Sequence, residues 1–130
     1  MLFTEFLTGI VGAEESMPKS GVLMSPNYPS RYPSNHDSTQ IVEVAEGKYI
    51  RFEFTNFNTE PEYDWVQVVD PSGTHLMPME DGGKIWGSSL PPHSPGIRSK
   101  SNIIHVNFHT DGSEQRSGWR MEWTETEDKA

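Results

Sequence analysis

The sequence predicts an all-β fold, an antiparallel β-sandwich of jelly-roll type preceded by a short apolar N-terminal segment. Three runs, at residues 50–55, 104–109 and 119–124, alternate apolar and polar residues. A period of two gives a strand one dry face and one wet face. No helical period continues past the first dozen residues, and turn-forming residues separate the runs. Two sheets of this kind stack with their dry faces together.

The alternation assigns an inward face to each run. The inward positions predicted for the three runs are Ile50, Phe52 and Phe54, then Ile104, Val106 and Phe108, then Trp119, Met121 and Trp123. Breaker residues predict turns at 70–74, 81–83, 87–96 and 111–118. The stretch 87–96 is expected to be an extended loop, because proline lacks the amide hydrogen that a β-ladder needs.

The chain length of 130 residues fits one domain, which we place at 20–124. Residues 1–19 form the apolar N-terminal segment, in which Phe3, Phe6, Leu7 and Ile10 have the spacing of one helix face. It faintly resembles a secretory signal but lacks a basic start, and it is too short to span a bilayer, so no transmembrane segment is expected. A segment that docks on its own domain or on a neighbour fits it as well. Residues 125–130 are a charged tail, expected to fray.

Composition excludes several function classes. Ten Lys and Arg against 19 Asp and Glu give a net charge of −9, so nucleic acid is not an expected partner. The absence of cysteine excludes disulfides, zinc-thiolate sites and a cysteine nucleophile. No metalloprotease histidine motif or serine nucleophile elbow is present. The sequence therefore predicts a domain that is not an enzyme.

Carboxylates stand in two loops that each interrupt a strand-like run. Glu60 and Asp64 lie in the segment TEPEYD, and Asp111 lies in HTDGS. Such side chains are hard oxygen donors, which Ca²⁺ prefers. Solvated turn carboxylates are the alternative interpretation, because Asp and Glu are common in loops.

A family resemblance covers residues 20–124. The segment GVLMSPNYPSRYP, from Gly21 to Pro33, resembles the opening of a CUB domain, an extracellular β-sandwich module. Further similarity lies in FTNFNTE, in the Tyr63-Asp64 pair before WVQV, in IRSKSNIIHV, in FHTDGS and in GWRMEW. The resemblance implies a sandwich fold and an extracellular location.

The same resemblance implies a calcium site. In calcium-binding members of the family, ligands are a Glu after a strand, the Asp of the Tyr-Asp pair and a later Asp in a turn, with a tyrosine in support. The corresponding positions are Glu60, Asp64 and Asp111 as ligands, Tyr32 as the supporting tyrosine, and backbone carbonyls near Gly112 and Ser113 to complete the shell.

The chain departs from the family in its lack of cysteine. Typical members have two disulfides, whereas Ser38 and Trp86 stand where cysteines are expected and the connection from Glu60 to Tyr63 is short. Loss of a native disulfide costs a small secreted domain about 2–5 kcal/mol. A bound metal, the aromatic core or burial in an assembly is expected to offset this loss. The short connection also predicts some distortion of the metal cage.

For function, the resemblance implies an interaction module whose calcium-ordered loops receive a Lys or Arg from a protein partner. The contact residues are expected to be Glu60, Asp64, Asp111 and Ser113. One alternative is a structural subunit of a coat or matrix that self-assembles through residues 1–13. Another is an adhesin-like carbohydrate binder that stacks a sugar on Trp65 or Trp86, although alternation favours a core position for Trp65.

Overall fold

The computed structural model describes residues 18–77, 82–91 and 96–127. They form two antiparallel β-sheets and the loops that connect the strands. The strands are β1 (Ser20–Met24), β2 (Asp37–Glu43), β3 (Tyr49–Asn58), β4 (Trp65–Val69), β5 (Ile97–Arg98), β6 (Ile103–His109) and β7 (Gly118–Thr126). One sheet has the order β1-β7-β3-β5 and the other the order β2-β6-β4. The predicted all-β, two-sheet architecture is confirmed.

The core lies between the two sheets. Every inward position predicted from the three alternating runs is buried. Aromatic rings join the layers: Phe108 of β6 makes an edge contact with Trp119 of β7, with ring centroids 5.9 Å apart. Phe108 makes a second edge contact with Tyr32 at 5.1 Å. Such edge-to-face pairs stabilise a core beyond the area that they bury.

Strand β7 continues past the predicted domain boundary at residue 124. Glu125 pairs with Ile50 and Thr126 pairs with Tyr49, so the first two residues of the predicted tail belong to the sheet. These two residues join the sheet because β3 begins at Tyr49 and offers ladder partners to the end of β7. At the other end, the predictions for residues 1–13 lie outside the described residues.

Trp65 does not take the core position that its alternating run suggested. The buried residues of β4 include Val66 and Val68, and Trp65 therefore points to the outer face. Its ring stacks on His109, with centroids 5.2 Å apart and an interplanar angle of 27°. Lys84 Nζ lies over the same ring, 4.6 Å from the centroid. The side chain is partly covered by neighbours of its own domain.

Candidate metal centre

Three carboxylates meet at one end of the sandwich because each lies just before or just after a strand terminus at that end. Glu60 follows the end of β3, Asp64 precedes the start of β4, and Asp111 follows the end of β6. Strands β4 and β6 are antiparallel, with Trp65 opposite His109, so the start of one lies beside the end of the other. The topology thus brings together residues that are far apart in sequence.

A tight turn holds Glu60 and Asp64 next to each other. The amide of Asp64 donates a hydrogen bond to the carbonyl oxygen of Glu60, at 3.1 Å. Glu62 takes a positive φ of 72°, which closes the turn. The short connection therefore keeps the two carboxylates on the same side of the loop.

The carboxylates of Glu60, Asp64 and Asp111 each offer an oxygen, and these oxygens all lie within 4.8 Å of one another. Asp64 is fully buried, whereas Glu60 and Asp111 are partly exposed. Glu60 Oε1 is itself buried and has no hydrogen-bond partner among the described residues. An ionised oxygen in this state lacks the donor or cation that buried charges normally require.

Asp64 is the residue on which the other parts of the cluster depend. Its Oδ2 accepts a 2.6 Å hydrogen bond from the hydroxyl of Tyr32. Its Oδ1 accepts one from the amide of Asp111, at 2.8 Å. The Tyr32 hydroxyl oxygen also accepts a hydrogen bond from the amide of Glu60, at 3.1 Å. Tyr32, the tyrosine that the resemblance implied as a support, thus contacts two of the three acidic residues.

The loop that carries Asp111 is held by hydrogen bonds that backbone amides donate. The amide of Ser113 donates to Asp111 Oδ1 at 3.1 Å, which closes a small turn around Gly112. The amide of Asn35 donates to the carbonyl oxygen of Asp111 at 2.8 Å. Gly112 and Ser113 are exposed beside the cluster.

Sequence reasoning missed two residues at this site. Asn35 anchors the Asp111 loop from the segment between β1 and β2, and its positive φ of 51° is the conformation that Asn favours in turns. Glu114 adds negative charge near Glu60. The full burial of Asp64 also corrects one expectation, because a buried carboxylate cannot contact a protein partner directly.

The cluster disfavours ionisation of its own carboxylates. Loss of solvent raises the pKa of Glu60 above its ordinary value, and repulsion from Asp111 and Asp64 raises it further. Loss of solvent also raises the pKa of Asp64, although the hydrogen bonds from Tyr32 and from the Asp111 amide act in the opposite direction. A cation among these oxygens would relieve both effects. The residues present therefore fit a hard divalent cation.

Comparisons with known proteins give a consistent assignment. A family model described as "CUB domain" matches residues 12–123. Human cubilin is 32% identical over 111 residues, which is 79% of this chain and 3% of cubilin. Rat mannan-binding lectin serine protease 1 is 27% identical over 113 residues, which is 81% of this chain and 14% of that protein. The chain thus spans a small part of these relatives.

Solved structures agree with the sandwich. The CUB1-EGF-CUB2 domain of human MASP-1/3 superposes with a TM-score of 0.72 at 24% identity, over 84% of this chain and 42% of that one. The crystal structure of the MASP-1 CUB2 domain bound to Ca²⁺ gives a TM-score of 0.60 at 27% identity, over 83% of this chain and 94% of that one. That relative was solved with Ca²⁺ bound.

The family assignment also bears on catalysis. CUB domains are non-catalytic interaction modules, including those in a relative named as a serine protease, so the expectation of a non-enzymatic domain is confirmed. In the described part of the chain, no helix has the length and hydropathy needed to cross a bilayer. The family match over most of the chain, the two-sheet fold and the solved relatives together lead to one conclusion: the chain belongs to the CUB domain family.

Proposed function

We propose that this domain is an extracellular interaction module that binds Ca²⁺ through Glu60, Asp64 and Asp111. The observation that carries the proposal is the convergence of three carboxylates around a buried oxygen of Glu60 that has no partner among the described residues. The calcium-bound CUB relative supports the choice of metal. Extracellular location is the setting implied by the family, and extracellular modules commonly bind calcium weakly.

Each residue has a distinct role in this proposal. Asp64 is held in place by hydrogen bonds from the Tyr32 hydroxyl and from the Asp111 amide. Glu60 and Asp111 supply the partly exposed carboxylates, and carbonyls near Gly112 and Ser113 complete the shell. Bound Ca²⁺ would supply the positive charge that the cluster lacks. The loops at this end of the sandwich would then be ordered around it.

The same end of the domain would receive a basic side chain from a protein partner. Glu60, Asp111 and Ser113 reach solvent, and their outward oxygens can accept hydrogen bonds from a Lys or Arg. Charge-assisted hydrogen bonds are roughly twice as strong as neutral ones. Asp64 contributes by positioning these neighbours, since it has no exposed surface of its own.

The metal site can be tested by calorimetry, in which calcium is titrated into protein that a chelator has stripped of metal. We expect one site with a Kd of about 10⁻⁶–10⁻³ M, absent in Asp111→Ala. The matched control is Glu46→Ala, which removes an exposed carboxylate from a turn outside the cluster. Retention of full affinity in Asp111→Ala, or absence of binding in the wild-type protein, would contradict the proposal.

The two alternative functions, self-assembly and carbohydrate binding, have no specific observation in their favour among the described residues. The self-assembly hypothesis depends on residues 1–13, which lie outside the described residues. The carbohydrate hypothesis needs an open aromatic face, and the Trp65 ring is in contact with His109 and Lys84. Trp86 is only partly exposed.

A further inference from the structure

A buried threonine precedes each of the two partly exposed carboxylates of the proposed site. Thr59 stands before Glu60 and Thr110 stands before Asp111, and the two threonines are 0% and 1% exposed. The Thr59 hydroxyl accepts one hydrogen bond, at 3.2 Å from the amide of Gly87. The Thr110 hydroxyl makes two shorter ones, at 2.8 and 2.9 Å. Thr110 is thus the more firmly engaged of the two side chains.

The hydroxyl of Thr110 joins the end of β6 to the segment between β1 and β2. Its oxygen accepts a hydrogen bond from the His36 amide at 2.8 Å, and it donates to the carbonyl oxygen of Pro33 at 2.9 Å. The Thr110 amide also donates to the carbonyl oxygen of His36, at 2.8 Å. A buried hydroxyl that both accepts and donates keeps the rotamer that satisfies both partners. The backbone and the side chain of Thr110 are therefore both held.

The next residue, Asp111, is held on both sides by neighbouring loops. Its amide donates to Asp64 Oδ1 at 2.8 Å, and its carbonyl oxygen accepts a hydrogen bond from the Asn35 amide at 2.8 Å. Thr110 holds the peptide unit that precedes Asp111, and the Asn35 amide holds the one that follows. These contacts set the direction of the Asp111 Cα–Cβ bond, and with it the position of the carboxylate relative to Glu60 and Asp64.

We propose that Thr110 is a positioning residue of the calcium site, whose hydroxyl orients Asp111 without binding the ion. The hydroxyl is buried and engaged by Pro33 and His36, so it is not counted among the ligands. The inference rests on the proposed function, and it extends the site to a side chain outside the acidic cluster. Substitution of residues that orient metal ligands typically lowers metal affinity about 10- to 100-fold.

Thr110→Val tests the inference, because valine has nearly the shape of threonine but no hydroxyl. In calorimetric titration with calcium, at a temperature at which all variants are folded, we expect Thr110→Val to bind about tenfold more weakly than the wild type. Thr110→Ser keeps the hydroxyl and should retain the wild-type affinity. Thr110→Ala also lacks the hydroxyl and should bind as weakly as Thr110→Val, and it replaces that variant if valine prevents folding.

Ser99 offers a matched control at the opposite end of the sandwich. Its buried hydroxyl accepts a hydrogen bond from the Ile50 amide at 2.8 Å and donates to the carbonyl oxygen of Ser101 at 2.6 Å. Ile50 lies near the start of β3 and Glu60 follows its end, so a strand of 10 residues, roughly 30 Å long, separates Ser99 from the cluster. Ser99→Ala should lower the melting temperature, as Thr110→Val does, but leave the calcium affinity unchanged.

Terbium luminescence gives a readout that a loss of stability alone would not change. Tb³⁺ is a luminescent substitute for Ca²⁺, and its decay times in H₂O and D₂O report how much water the bound ion keeps. At saturating Tb³⁺, the ion in Thr110→Val should keep more water than in the wild type, because the Asp111 carboxylate is no longer aimed at it. The ion in Ser99→Ala should keep as much water as in the wild type.

The outcomes separate this inference from the proposed function. Equal calcium affinity of the wild type and Thr110→Val would overturn the positioning role of Thr110 and leave the calcium site in place. Ser99→Ala binding calcium as weakly as Thr110→Val would also overturn it, since the effect would then come from stability alone. Absence of calcium binding in the wild-type protein would overturn both proposals.

Discussion

The hydroxyl of Tyr32 donates a 2.6 Å hydrogen bond to Asp64 Oδ2, and both side chains are buried. The same hydroxyl oxygen accepts the amide hydrogen of Glu60. Burial raises the pKa of Tyr32 well above its ordinary value, and the hydrogen bond to Asp64 acts in the same direction, so the phenol remains a neutral donor. One side chain thus contacts two acidic residues of the proposed calcium site.

Tyr32→Phe should destabilise the domain and weaken calcium binding. The ring contact with Phe108 can persist, but Asp64 Oδ2 loses its buried donor. A buried group left without its partner costs about 1–3 kcal/mol. Urea denaturation in metal-free buffer measures the loss of stability, and calorimetry measures the loss of calcium affinity.

The control for this variant is Tyr63→Phe, since Tyr63 is 58% exposed. Removal of a solvated hydroxyl should change the free energy of unfolding by less than about 0.5 kcal/mol. Equal changes in the free energy of unfolding for the two substitutions would show that the Tyr32–Asp64 hydrogen bond stabilises the fold no more than a solvated hydroxyl does.

Glu60→Gln should raise the melting temperature of the metal-free protein and lower that of the calcium-saturated protein relative to wild type. Without metal, the substitution removes repulsion within the cluster. With metal, it removes a ligand, and the stabilisation by mass action falls. Calorimetric scans with and without calcium give the order of the four melting temperatures. A Glu60→Gln variant less stable than wild type in metal-free buffer would contradict the repulsion that we infer.

The metal-free protein should lose stability relative to Glu60→Gln as pH rises above about 4. The pKa of Glu60 is raised in the folded state, so the folded protein binds more protons than the unfolded chain between the two pKa values. The contribution of this group is therefore fully present below its ordinary pKa of about 4.3 and is lost as pH rises through the folded-state value. Urea midpoints of the two proteins across this range measure the divergence. A constant difference from pH 3 to 7, about the whole range in which carboxyl groups titrate, would contradict it.

Gly118→Ala should destabilise the domain more than Gly73→Ala. Both glycines have similar positive φ angles, 92° and 93°, so both substitutions incur the left-handed penalty of about 1–2 kcal/mol. A Cβ at Gly118 would lie 1.9 Å from Ser25 Oγ, whereas nothing lies within 4 Å of one at Gly73. Ser25 Oγ also accepts the amide hydrogen of Trp119. Equilibrium unfolding of both variants isolates the steric term; equal losses would show that Ser25 moves aside freely.

The inward faces of the strands could be predicted from sequence because strand alternation is local. Ile50, Phe52 and Phe54 are buried as their pattern predicts. The end of β7 could not be predicted in this way, since Glu125 and Thr126 are polar and belong to a strand only because β3 supplies ladder partners. Trp65 shows the same limit, because its outward direction follows from the burial of Val66 and Val68 rather than from its own hydrophobicity.

By itself, the sequence determined the fold class, the family resemblance and the acidic residues that make a calcium site conceivable, because these depend on residue type and short-range spacing. Only the tertiary structure decided that Glu60, Asp64 and Asp111 bring their oxygens within 4.8 Å of one another. It also decided that Asp64 is buried. The physical reason is that strand pairing between distant segments sets these distances, and burial depends on what the other sheet places above each residue.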